Sequence, residues 1–353
     1  MNTTEKNNKI LVTGGAGYIG SHACKALARA GYLPVVYDDF STGHRSAVRW
    51  GQLEEGSLGD RTRLDEVIQA HRPFAVMHFA AFIEAGESVV DPGKYYMNNT
   101  CHALSLLRAM RDHGLERLIF SSTAAVYGDP LQVPITENHP LAPINPYGTS
   151  KFMVERILED FSRAYGLRHV TLRYFNAAGA DPEGDCGEDH TPESHLIPLV
   201  LQVALGVRPH ITLFGNDYAT PDGSCIRDYV HVTDLIEAHM LALGALTSGK
   251  GSAVYNLGNG RGFSVLEVIE VARRVTGRDI SVKIGPRRPG DPSRLIADPG
   301  KAKRELGWVL RHDDLAEIIE TAWRWILNCP SQLSTGGHGR AATPDDEHVS
   351  CVR

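Results

Sequence analysis

The sequence predicts an α/β protein, in which a doubly wound parallel sheet is joined to a smaller C-terminal α/β lobe. Over the first half, short β-branched apolar runs alternate with longer segments of helical spacing, a pattern typical of parallel strands linked by helices. From about residue 191 the loops lengthen and contain more Pro, Gly and Asp. We therefore expect one domain mainly within 9–190 and a second lobe mainly within 191–330, with the chain crossing between them. Residues 331–353 contain few apolar side chains, so we expect a disordered tail there.

The individual elements follow in order along the chain. A helix is predicted over 18–30, where small and apolar residues recur every three or four positions, and further helices at 264–276 and 313–328. Buried parallel strands are predicted at 9–13, 34–38, 74–79, 117–122 and 168–175.

Composition excludes several classes of function. The 353-residue chain carries a formal net charge of −6, so we expect no nucleic-acid partner. It has a polar N-terminus and no run of about 20 apolar residues, which predicts no membrane association. The 6 cysteines are scattered, and we interpret them as free thiols of a cytoplasmic protein. The 16 histidines show no recognised metal-binding motif, so we expect no metal site.

The first strand is followed by a glycine-rich turn, "LVTGGAGYIG", that opens the first predicted helix. A side chain at Gly14 would obstruct the turn, one at Gly17 would hold the backbone away from a pyrophosphate, and one at Gly20 would push the helix off its strand. Strand, turn and helix occur in the order that a Rossmann dinucleotide site requires. Asp38 ends the second strand and suits the ribose hydroxyls of NAD, whereas it would repel the 2′-phosphate of NADP. Asp39 is a weaker candidate, and a turn-capping role for Asp38 stays open.

The stretch "PYGTSK" places Tyr147 four residues before Lys151 on a predicted helix, which Asn145 caps and Pro146 begins. A phenol alone is a poor base at neutral pH. An ammonium about 4 Å away stabilises a phenolate by about 4 kcal/mol at an effective dielectric near 20. The pattern is common by itself, but here it follows a dinucleotide motif and the "SST" cluster that ends at Thr123. We predict that Tyr147 is the acid–base group, assisted by Lys151 and Thr123.

These motifs resemble the extended short-chain dehydrogenase/reductases and, within them, the UDP-glucose 4-epimerases. The resemblance runs from about Lys9 to Cys329. It implies NAD as cofactor, interconversion of UDP-glucose and UDP-galactose, and a homodimer packed through the helices near 98–112 and 147–165. It rests on "TGGAGYIGSH" (13–22), "YYMNN" (95–99), "NPYGTSK" (145–151), "RYFNAAGA" (173–180), "HLIPLV" (195–200), "RDYVHVTDL" (227–235) and "PRRPGD" (286–291).

The resemblance also assigns residues to the two ligands. The implied cofactor-binding residues are Gly14, Gly17, Tyr18, Ile19, Gly20, Asp38, Asp39, Phe79, Ala80, Asn98, Tyr147, Lys151 and Tyr174. The implied substrate-binding residues are Thr123, Asn176, His195, Leu196, Phe214, Arg227, Tyr229, Arg288, Asp291 and Leu295. The chain departs from the family pattern at Ser57, Ile83 and His195, and all three positions bear on how tightly the cofactor or the uridine is bound.

Three alternatives to this function can be compared with the sequence, and the last of them stays open. A nucleotide-sugar 4,6-dehydratase would carry an Asp-Glu pair after Thr123, where this chain has Ala124 and Ala125. An NAD-sensing regulator on the same fold would usually lack the tyrosine or the lysine. A 4-epimerase of UDP-N-acetylhexosamines or UDP-pentoses would share every catalytic residue. The resemblance places Leu295 beside the C2 substituent of the sugar, so it implies a preference for UDP-glucose with weak acceptance of the N-acetylated sugar.

Overall fold

The computed structural model describes residues 7–288 and 291–329, so the predicted tail at 331–353 lies outside the described residues. The strands are β1 (Lys9–Thr13), β2 (Leu33–Asp38), β3 (Gln52–Glu55), β4 (Ala75–His78), β5 (Arg117–Thr123), β6 (Arg168–Tyr174), β7 (Asn176–Ala178), β8 (Ile211–Phe214), β9 (Ile226–Arg227), β10 (Tyr229–His231), β11 (Ala253–Leu257), β12 (Phe263–Ser264), β13 (Val282–Gly285) and β14 (Arg294–Leu295). The helices are α1 (Tyr18–Arg29), α2 (Arg61–His71), α3 (Ala85–Val90), α4 (Pro92–Tyr95), α5 (His102–Asp112), α6 (Pro146–Tyr165), α7 (Leu196–Ala204), α8 (Val232–Thr247), α9 (Val265–Thr276), α10 (Gly300–Leu306) and α11 (Leu315–Asn328). None of the helices in these ranges is long and apolar enough to cross a bilayer.

The main sheet has seven strands in the order β11-β6-β5-β4-β1-β2-β3, and its neighbouring strands pair in parallel. The predicted parallel sheet is therefore confirmed. Its edge strand β11 comes from beyond residue 191, so the chain returns to the first sheet after leaving it.

Helices cover both faces of this sheet, which explains why its strands are apolar on both sides. Ile10 and Val12 of β1 pack with residues of α1 and α8 in one buried cluster. Leu11, between them, points to the other face and packs with residues of α2, α5 and α6. This alternation along one strand is the signature of the doubly wound arrangement predicted from the sequence.

The C-terminal lobe is built around a separate apolar cluster from α7, α9 and α11. Leu199, Val268 and Ile318 are buried at its centre. Short strands accompany these helices: β8 pairs with β13, and β9 lies between β12 and β14. The strand β7 leaves the main sheet and pairs with β10, which places the start of the lobe beside the end of β6.

Element boundaries differ slightly from the prediction, and the local chemistry explains why. The strand predicted at 74–79 ends at His78 because the amides of Phe79 and Ala80 both donate to the Thr13 carbonyl. The helix predicted from 264 begins at 265, since Ser264 is its N-cap and forms a capping box with Glu267.

Candidate active site

In the glycine-rich turn between β1 and α1, two of the glycines lie against other backbone atoms of the protein, and a third has more room. Gly14 has φ +73°, and an added Cβ would lie 2.5 Å from the Ala80 amide nitrogen. A Cβ at Gly20 would lie 2.1 Å from the Gly14 carbonyl oxygen, so this glycine lets the helix approach the turn itself. At Gly17 the nearest atom would be 3.4 Å away, which the protein tolerates. Among the described residues, no protein atom therefore excludes a side chain at Gly17, and our prediction that a pyrophosphate needs glycine there depends on the cleft at the N-terminus of α1.

Asp38, at the end of β2, is 9 % exposed and braces this turn. The amide of Ala16 donates to its Oδ2 at 2.9 Å, and the amide of Phe40 donates to its Oδ1 at 2.9 Å. Burial raises the pKa of Asp38, and the two amide hydrogen bonds partly oppose that shift. Each carboxylate oxygen can accept a further hydrogen bond, so the side chain can both cap the turn and hold ribose hydroxyls.

A single cleft at the carboxyl ends of the main strands gathers every predicted cofactor residue. The glycine-rich turn, Asp38 and the residues after β4 form one side, while Tyr147, Lys151 and Tyr174 form another. Such a crevice is where doubly wound sheets bind their ligands. The cleft, called the first cleft below, also contains residues that we did not predict as cofactor ligands: Tyr37, Ser41, Thr42, Gly43, Gly56, Ser57, Leu58, Ala81, Ile83, His102 and His190.

Tyr147 and Lys151 lie on the first turns of α6, as predicted. The amide of Gly148 donates to Asn145 Oδ1 at 2.8 Å, and Pro146 occupies the first helical position. Both side chains are buried, at 3 % and 4 % exposure. Lys151 Nζ donates to the Ser121 carbonyl at 3.0 Å, which holds the ammonium at the end of β5.

The charge of Lys151 is felt by a second buried group behind the cleft. Burial, followed by the positive charge of Lys151, lowers the pKa of His78 to about 3. His78 is therefore neutral, and its Nδ1 lies 2.7 Å from Thr13 Oγ1. Of His78 and Lys151, only the lysine therefore carries a charge.

Thr123 is the last residue of β5, where it pairs with Tyr174 in the sheet register. Its hydroxyl accepts a hydrogen bond from the Ala125 amide at 3.1 Å. Thr123 is 3 % exposed, and it lines neither the first cleft nor the second cleft that is described next. The hydroxyl of the preceding Ser122 donates a hydrogen bond to the buried Glu155 carboxylate.

A second cleft adjoins the first, and Ile83 lines both. Five of the predicted substrate residues line this second cleft: Asn176, His195, Leu196, Arg227 and Tyr229. Arg227 forms a buried ion pair with the predicted Asp291, so the two assigned side chains hold one another.

Phe214, Arg288 and Leu295 line neither cleft, but the structure gives each a defined place. The Arg288 guanidinium lies 3.8 Å from the centre of the Phe214 ring. Within the described residues, its buried Nη2 has no hydrogen-bond partner. Leu295 is 4 % exposed, pairs with Arg227 in the β14–β9 register, and packs with Ala124 and other buried apolar residues.

The loop 179–195, between β7 and α7, brings together four side chains that we did not expect to meet. Glu188, His190, Glu193 and His195 lie with one potential ligand atom each within 4.8 Å of the others. Burial would raise the pKa of Glu188, but the nearby His195 and His190 hold it well below its usual range. The sequence signal was the spacing E-x-H-x-x-E-x-H, which matches no metal motif that we considered.

Comparisons with known proteins agree with this geometry. The profile of the NAD dependent epimerase/dehydratase family matches residues 10–258. A UDP-glucose 4-epimerase from Rhizobium meliloti is 51% identical over 320 residues, covering 91% of this chain and 97% of that protein. The crystal structure of a UDP-glucose 4-epimerase from Brucella ovis in complex with NAD superposes with a TM-score of 0.88 at 51% identity, covering 90% and 97% of the two chains. A UDP-glucose-4-epimerase from Stenotrophomonas maltophila with bound NAD and formylated UDP-arabinopyranose gives a TM-score of 0.87 at 41% identity, again covering 90% and 97%.

Proposed function

The chain belongs to the NAD dependent epimerase/dehydratase family, and we propose that it interconverts UDP-glucose and UDP-galactose with NAD as its cofactor. One observation carries the proposal. Tyr147 and Lys151 line the same cleft as the glycine-rich turn, and Ile83 joins that cleft to the one lined by Asn176 and Arg227. An acid–base pair thus lies between a dinucleotide site and a site with an anchored cation.

The residues of the first cleft fit NAD. The N-terminus of α1, kept open by Gly17, would hold the pyrophosphate, and Asp38 would hold the adenosine ribose. Phe79, Ala80 and Asn98 would line the other half, and Lys151 would also bond the nicotinamide ribose. When bound, NAD supplies a hydride acceptor that can later return the hydride to the opposite face of the sugar.

The chain's own part in the chemistry is a reversible proton transfer. Tyr147 would accept the proton of the sugar 4-hydroxyl and return it when the inverted hydroxyl forms. The ammonium of Lys151, fixed by the Ser121 carbonyl, favours the phenolate through its charge. Thr123 would hydrogen-bond the same oxygen. Because Tyr147 and Lys151 are buried, this proton is shielded from bulk water.

Inversion also requires that the sugar can turn while the nucleotide stays in place. Arg227 and Arg288 would hold the diphosphate through charge-assisted hydrogen bonds, and Asp291 orients Arg227. Phe214 would pack near the uracil, while Asn176, His195, Leu196 and Tyr229 would complete the UDP site. The sugar then has no charged anchor of its own, which leaves it able to present either face.

A 4,6-dehydratase needs an acid and a base after the active-site threonine, and this chain does not supply them there. Ala124 is buried and packs in an apolar cluster, and Ala125 packs beside Tyr147. A 4-epimerase of UDP-N-acetylhexosamines or UDP-pentoses uses the same catalytic residues, so only the sugar pocket separates it from the main proposal.

The substrate range is tested by comparing kcat/KM for UDP-galactose and UDP-N-acetylgalactosamine in the natural protein, Leu295→Tyr and Leu295→Ser. We expect the natural protein to favour UDP-galactose, with the preference rising in the tyrosine variant and falling in the serine variant. Steric discrimination of this kind is worth about 1–3 kcal/mol, so the shift is partial. A natural preference for the N-acetylated sugar would overturn the proposed substrate, and unchanged ratios in both variants would remove Leu295 from the pocket wall.

We further propose a cytoplasmic homodimer in which residues 9–190 mainly bind NAD and residues 191–330 mainly bind the UDP-sugar. Dimerisation through α5, α6 and the π-helix at Tyr96–Cys101 is supported by large apolar side chains that the monomer leaves exposed there: Met97, Leu104 and Met153. The buried Cys24 and Cys186 are unpaired thiols, which suits a reducing compartment.

A further inference from the structure

The cluster of Glu188, His190, Glu193 and His195 contains two buried carboxylates that have no lysine or arginine partner within the described residues. Their side chains are 7% and 3% exposed, and the ion pairs that they form are with the two histidines alone. Two ionised carboxylates bring a charge of −2 into this buried site, and among the described side chains only the two imidazoles lie close enough to balance it. Such a charge is costly unless a cation compensates it.

The four side chains point their ligand atoms at a common space. Nδ1 of His195 lies 2.6 Å from Glu188 Oε1, and Nδ1 of His190 lies 3.2 Å from the same oxygen. Glu193 Oε2 lies 3.9 Å from His190 Nδ1. Ligands held at about 2.1 Å in a tetrahedron around zinc are about 3.4 Å apart, which falls within this spread.

Two of these atoms are buried and otherwise unused. In the described chain, His190 Nδ1 and Glu193 Oε2 make no hydrogen bond, although both are shielded from solvent. The other oxygen of Glu193 accepts from the amides of Ser194 and His195, each at 2.8 Å. The carboxylate is therefore held in place by the backbone with its second oxygen directed at the cluster, as outer-shell bonds hold a metal ligand.

A neighbouring acidic cluster shows the contrast. Asp181, Glu183 and Asp185 also lie close together, but Lys25 sits among them, 2.5 Å from Asp181 and 2.8 Å from Asp185. An internal ammonium already compensates that charge. The cluster of Glu188 and Glu193 contains two imidazoles instead of an ammonium. A site of imidazole and carboxylate ligands favours zinc over magnesium or calcium.

We propose that Glu188, His190, Glu193 and His195 bind one Zn²⁺ ion in tetrahedral N₂O₂ coordination. The ion would staple the loop 179–195 where it passes between the clefts, since His190 lines the first and His195 lines the second. It would thereby fix the His195 ring at the wall of the UDP site. This role is structural, and the proposal departs from our expectation from the sequence that the protein has no metal site.

The test uses untagged full-length protein, stripped with a chelator, mixed with excess Zn²⁺ and passed through a desalting column before elemental analysis. We expect one zinc per chain in the natural protein and in the control Glu183→Gln, which removes a carboxylate that pairs with Lys25 and Arg29 outside the proposed site. We expect none in folded His190→Gln or Glu193→Gln, since loss even of an outer-shell partner weakens metal affinity roughly 10–100-fold. Zinc-free natural protein, or equal retention by both variants, would overturn the proposal.

A second readout does not depend on the variants folding. The natural protein loaded with Co²⁺ should show the intense visible bands of tetrahedral cobalt, and one equivalent of Zn²⁺ should abolish them. A pale octahedral spectrum would contradict the proposed coordination and leave the four residues as a carboxylate–imidazolium cluster. Neither readout involves turnover, so the result is independent of the epimerase proposal.

Discussion

The two clefts differ in how their functional groups are held. In the first cleft, Gly14 lies against the Ala80 backbone, Asp38 accepts from the Ala16 amide, and Lys151 donates to the Ser121 carbonyl, so each meets a backbone atom near the end of a parallel strand. In the second, Arg227 is held by the side chain of Asp291. Arg288, which lines neither cleft, rests on the ring of Phe214. The first cleft is therefore built largely by the main sheet, whereas the proposed UDP site depends on side chains from short strands and loops of the C-terminal lobe. We expect substitutions at the first cleft to affect chemistry and cofactor, and those at the second to affect substrate affinity.

The largest effect should come from Tyr147→Phe. Removing the phenol oxygen eliminates the proton acceptor, so kcat should fall at least about 100-fold while NAD content and UDP affinity stay unchanged. The matched control is Tyr165→Phe on the same helix, whose side chain is exposed and should leave kcat unaltered. Steady-state kinetics and UDP titration measure both. Near-normal turnover in Tyr147→Phe would remove the tyrosine from the mechanism.

Substitutions in the proposed UDP site should change KM. Arg288→Ala removes a guanidinium with a buried, unpartnered nitrogen, and a lost charge-assisted bond of about 1.5–3 kcal/mol lowers kcat/KM roughly 10–150-fold. The adjacent Arg287 instead pairs with Asp217 at the surface, so Arg287→Ala serves as the control and should change little. If the two variants behave alike, Arg288 does not contact the diphosphate.

A smaller effect is expected from Gly17→Ala at the cofactor end. The added methyl would meet its nearest protein atom at only 3.4 Å, so folding should be unaffected. The methyl would nevertheless hold the α1 N-terminus away from the pyrophosphate, and NAD affinity should fall by roughly tenfold or more. Calorimetric titration of cofactor-free protein measures the affinity, and thermal unfolding verifies the fold. Unchanged affinity would place the pyrophosphate elsewhere.

The contrast between the two clefts also explains which site residues could be predicted from the sequence. Gly14, Asp38 and Tyr147 were predictable because each stands at a fixed place relative to a strand end or a helix start, and the sheet brings those places together. Leu295 could be assigned only by resemblance, and its burial beside Ala124 depends on β14 meeting β9.

His190, and its approach to the predicted His195, were missed for a related reason. They lie in a long irregular loop, where no periodicity predicts which side chains converge. Only the tertiary fold of loop 179–195 reveals that their Nδ1 atoms share Glu188. A local spacing such as E-x-H-x-x-E-x-H becomes informative only when the loop conformation is known.

The central claim is that the hydrogen on C4 leaves and returns within the enzyme as a hydride, while Tyr147 exchanges only the hydroxyl proton. It is tested most directly with UDP-galactose that carries deuterium at C4, converted to equilibrium in ordinary water and analysed by NMR. The account predicts that deuterium remains at C4 in both UDP-glucose and UDP-galactose. Progressive replacement of that deuterium by solvent hydrogen during turnover would contradict it.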